Sequence, residues 1–167
     1  MQQNELLLTI AEVSLAFAGL VGIAGLFGSQ SRPDLFRAQF FLVIAMVGYA
    51  LIAALFAFLP FVIAALGASA STAFRICSFI LALSISGWTA YGYSRARQLR
   101  KSGNSPPHGV AEFMAGTLLL VAIALLFGTL GLLGERASGF YTFAVFLQLA
   151  FSGYFFFRLV WSLRPQV

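Results

Sequence analysis

The chain has 167 residues, of which 60% are hydrophobic and 9% charged, with a formal net charge of +5 and a mean hydropathy of +0.94. A soluble domain carries about 25% charged residues, so this composition excludes a water-covered globule and makes lipid the solvent for most of the surface. A single cysteine, Cys77, and a single histidine, His108, exclude an intrachain disulfide and a metal site built from His and Cys.

A helix that crosses a bilayer needs about 20 mostly apolar residues. Five stretches qualify, over residues 6–28, 38–66, 73–93, 110–133 and 139–163. Runs such as FFLVIAMVGYALIAALFAFLPFVIAAL are continuously apolar. They lack the alternation of membrane-barrel strands, and helices bond their own backbone in lipid. The expected fold is an all-α membrane protein, one transmembrane domain over residues 1–167.

The first stretch follows MQQNE, which has no basic residue, and its apolar run is longer than that of a secretory leader, so a retained helix is expected. Glu5 and Glu12 are seven residues apart and share a face with Ala16, Gly19 and Ile23. The small residues invite close helix approach, so this face is expected to look into the bundle. Ser14, Ala18 and Gly22 form a second small-residue row on an adjoining side, for packing within the chain or between chains. In the second stretch Pro60 is expected to kink the helix.

The third stretch opens near Arg75 and holds Cys77, read as a small packing residue. The segment after it, SRARQLRKSGNSPPHG, is basic but short and carries no interleaved aromatic residue. It reads as a topology signal and a contact for anionic lipid, not as a nucleic-acid site. The fourth stretch has Glu112 in its early turns, where the helix dipole favours a carboxylate. The fifth ends near Arg158.

Lys and Arg favour cytoplasmic loops. Arg32, Arg37, Arg95, Arg97, Arg100, Lys101, Arg158 and Arg164 fall on one side of a five-helix topology, and Arg75 and Arg136 on the other. The N-terminus is therefore expected outside and the C-terminus in the cytoplasm, in a plasma (inner) membrane.

The first and fourth stretches repeat each other. AEVSLAFAGLVGIAGLFG at residues 11–28 aligns without gaps on AEFMAGTLLLVAIALLFG at residues 111–128. Ala-Glu begins both, and the pattern L-V-x-I-A-x-L-F-G ends both. Two further crossings separate the copies, so they run in opposite directions. The pattern implies a 2+1+2 inverted repeat, an arrangement that in many transporters places the working site near the midplane.

Ionisable groups inside hydrocarbon are costly and are functional candidates. Glu5, Glu12, Glu112, Arg75 and Arg158 are those groups here. Arg75 is expected near Glu12 or Glu5, and Arg158 near Glu112, because each set shares a leaflet. The leading expectation is an oligomeric channel or transporter for protons or small cations, with Glu12 lining a polar path alongside Ser14, Ser84, Ser86 and Thr89. The alternative is a non-catalytic accessory subunit of a larger membrane complex, with a dry core. The expected partners are the lipid bilayer and either further copies or a larger membrane complex. Without a nucleophile–base pair or a metal cluster, neither an enzyme nor a cofactor is expected.

Overall fold

The computed structural model describes the backbone at residues 2–31, 33–101, 110–131 and 136–162, and side chains at 4–23, 43–94, 114–131, 136–158 and 160. Five helices follow in chain order: α1 (Gln2–Ser31), α2 (Pro33–Ala65), α3 (Ala70–Lys101), α4 (Val110–Thr129) and α5 (Ala137–Ser162). No strand occurs among the described residues. Four helices contain segments long and apolar enough to cross a membrane: Asn4–Ile23, Val43–Ala65, Ala70–Ser94 and Ala137–Arg158. In α4 the described apolar segment is shorter, Met114–Thr129.

The helices outrun their apolar stretches. Residues 29–37 read as a loop, yet α1 continues to Ser31 and α2 starts at Pro33. Proline suits the first turn of a helix because its fixed φ matches and its missing N–H is not needed there. The basic segment after the third stretch is also helical as far as Lys101. The side chains of Arg95, Arg97, Arg100 and Lys101 lie outside the described set, as do those of Arg32, Arg37, His108 and Arg164. Helix α2 runs through Pro60 without interruption.

Between α2 and α3 the chain turns within four residues. Gly67 takes φ +94°, its N–H donates to the Ala64 carbonyl at 3.0 Å, and the Ala68 N–H donates to the Ile63 carbonyl at 3.4 Å. This is a Schellman ending, which uses a left-handed glycine to satisfy the last carbonyls. Ser69 then caps α3, its hydroxyl accepting from the Thr72 N–H at 3.3 Å.

The helices form two compact units, Met1–Val62 with Thr142–Val167, and Ile63–Tyr141. In the first, Val21 of α1 and Met46 of α2 pack with Phe17, Val43, Val47, Phe155 and Phe156. Phe17 meets Phe156 edge-on at 5.4 Å, and Tyr49 stacks on Phe155 at 5.7 Å. In the second, α3 packs along α4. Ala73, Cys77, Leu81 and Ile85 of α3 and Leu118, Ala122 and Leu125 of α4 are buried. The steps of four in α3, and of four and three in α4, give one packed stripe per helix.

Candidate functional site

Helix α1 divides cleanly. Leu7, Ile10, Ala11, Ser14 and Val21 are buried, whereas Glu5, Thr9, Glu12, Ala16, Gly19 and Ile23 are exposed. The exposed residues alternate at spacings of four and three, which keeps them in one stripe. Ile23 is 58% exposed, and an added methyl at Gly19 or Gly22 would meet nothing within 4 Å among the described residues. The acidic face, expected to look into the bundle, therefore points outward. Of the second row, Ser14 is buried, Ala18 half-buried and Gly22 exposed.

Glu12 and Ser14 are two residues apart, about 200° around the helix. They lie on opposite sides of α1, so they do not line a common cavity within this unit, contrary to the sequence expectation. Glu12 lies eight residues into the Asn4–Ile23 segment, roughly 12 Å along the axis. Among the described residues of its unit no basic side chain pairs with it.

The interior of the same unit holds uncharged polar groups. Ser152 of α5 is fully buried and its hydroxyl donates to the Met46 carbonyl at 2.8 Å. Ser14 and Gln148 are 0% and 1% exposed, and neither the Ser14 Oγ nor the Gln148 Nε2 has a hydrogen-bond partner among the described residues. Sequence reasoning passed over Gln148, although an amide within FAVFLQLAFSG is visible as a polar interruption.

In the second unit, Tyr141 is fully buried, meets Phe74 edge-on at 5.6 Å and shares a hydrogen bond with the Cys77 thiol. Cys77 is a buried free thiol. The guanidinium of Arg75, expected to reach Glu12 or Glu5, lies over Gly131, with Nη2 3.2 Å from where a β-carbon would stand. Gly131 follows the end of α4, where unpaired carbonyls and the negative dipole end favour a cation. Within α3, the Ser86 hydroxyl donates to the Ala82 carbonyl at 2.8 Å, Ser84 is half-buried, and the Thr89 hydroxyl has no partner among the described residues. Arg158 is half-buried near the end of α5. The side chain of Glu112 lies outside the described residues, and with it the expected contact to Arg158.

No cluster of His, Cys, Asp and Glu able to hold a metal occurs among the described residues. The described residues form an all-α structure with several helices long and apolar enough to span a membrane, compatible with a multi-pass membrane protein. No protein family, curated protein or solved structure matches this chain.

Proposed function

We propose that this multi-pass protein works as an assembly of copies, in which the Glu12 face of α1 lies between subunits and carries protons or small cations. The outward carboxylate in mid-segment supports this reading most. On the insertion scale a charged group there costs at least ~2.5 kcal/mol when it faces lipid. A neighbouring helix that covers it, or water drawn to it between subunits, removes that cost. Ala16 and Gly19 on the same stripe permit close approach. The repeated Ala-Glu segment belongs to the same proposal, as an inverted pair that supplies Glu12 from one face of the membrane and Glu112 from the other. The membrane is the plasma (inner) membrane, with the N-terminus outside.

The test uses purified protein in liposomes carrying a proton or potassium gradient. Wild type collapses the gradient, and Glu12→Gln slows the collapse about tenfold or more while the oligomer stays intact, because an amide neither carries a proton nor replaces cation hydration as a carboxylate does. Tight liposomes with wild-type protein refute the transport reading.

The opposed placement of Glu12 and Ser14 favours a second reading, a non-catalytic accessory subunit whose acidic face binds a basic helix of a larger complex. In that case Glu12→Gln lowers co-purification of another membrane protein and leaves liposome leakage at its background.

A further inference from the structure

We propose that Ser14 and Gln148 hold a short file of bound water inside the α1, α2 and α5 unit. Both side chains are buried, both have a polar atom without a partner among the described residues, and both lie within membrane-spanning segments. Lipid cannot satisfy such atoms, and a buried polar group in a native protein is bonded to protein or to ordered water.

The helix register sets the size of the file. Met46 of α2 meets Ser152 of α5, Tyr49 one turn further along meets Phe151 and Phe155, and Val21 of α1 packs on Met46. In a chain whose five helices each cross the membrane the direction alternates, so α1 and α5 run the same way and α2 runs against both. Phe17 and Phe156 are level. Ser14 lies three residues before Phe17 and Gln148 eight before Phe156, which sets them about 7.5 Å apart along the axis. Ser152 falls between them in level. Two waters linked by ordinary hydrogen bonds cover that distance.

The chemistry gives the file a direction. The Gln148 Nε2 only donates, so the first water accepts from it. The Ser152 proton already goes to the Met46 carbonyl, so the Ser152 Oγ can only accept from water. The Ser14 hydroxyl both donates and accepts, and closes the file at its other end. A cation is a poor occupant, because the Nε2 hydrogens would face it.

Infrared difference spectra in H2-16O and H2-18O, taken on the whole protein in lipid, test the file. Wild type is expected to show isotope-sensitive bands of buried water that disappear in both Ser14→Ala and Gln148→Met. The Tm should fall in each single variant, and the double variant should fall no further than the worse single one, because both remove the same waters. Ser14→Ala changes one oxygen and is the variant that keeps the test decisive if Gln148→Met does not fold. Wild-type spectra without such bands, bands unchanged in Ser14→Ala, or a Tm that rises in Ser14→Ala would each overturn the proposal. Because the file lies across α1 from Glu12, its failure leaves the gradient experiment untouched.

Discussion

Gly131 shows how one residue separates two physical effects. Its φ of +77° is a conformation that side chains with a β-carbon adopt at a cost of roughly 1–2 kcal/mol. The added methyl would also meet the Arg75 guanidinium at 3.2 Å, but the far end of a flexible side chain yields readily. Gly131→Ala should therefore destabilise by about 1–2 kcal/mol in chemical denaturation, and the loss should persist in Arg75→Ala. If the loss vanishes there, crowding rather than the backbone is the cause. Ser152→Ala removes a buried interhelical hydrogen bond and should cost ~0.5–1.5 kcal/mol in the same assay. Glu12 was legible as an expensive residue, but the side it faces was not. In water, apolar residues mark the buried face. In lipid, Leu6, Val13, Leu20 and Ile23 are exposed while Leu7, Ile10 and Val21 are buried, so hydrophobicity carries little direction.

Helix ends were the hardest elements to read. Hydropathy reports where the hydrocarbon stops, whereas a helix continues for as long as its backbone and caps allow. Thus α3 spans 32 residues, about 48 Å, against a hydrocarbon thickness near 30 Å. The turn at Gly67–Ser69 ends α2 and starts α3 because a left-handed glycine and a serine cap stand together. Cys77 in the packed stripe of α3 should label with a membrane-permeant maleimide only after denaturation, since a buried thiol is shielded from reagent. Rapid labelling of the native protein would show that this stripe opens. In a variant without Cys77, cysteines at positions 2 and 102 should label from opposite faces, position 2 from outside. External labelling at 102 would invert the orientation drawn from the loop charges.

At the scale of the molecule, the all-helical, membrane-compatible class was legible, because long, continuously apolar runs with only 9% charged residues in the chain read as helices suited to lipid. The grouping of the helices was not, since near-uniform apolar composition says little about which stripe meets which. The proposed assembly gives a prediction at this scale. Gly19→Leu places a bulky group on the outward stripe, where an added β-carbon meets nothing within 4 Å among the described residues. It should shift the particle mass in mild detergent toward the monomer while helix content stays unchanged. An unchanged mass would take this face out of the subunit contact.

The first unit joins Met1–Val62 to Thr142–Val167, while the second is continuous in sequence. A ribosome therefore finishes the continuous unit first, reversing the usual order in which the N-terminal part folds earliest. Until α5 emerges, the α1–α2 hairpin waits with the faces bearing Ser14 and Met46 lacking their third helix. A nascent chain arrested before Thr142 would present these faces to whatever surveys the membrane for orphaned segments. Helix α5 thus completes a unit that α1 and α2 begin, across the whole of the second unit in sequence.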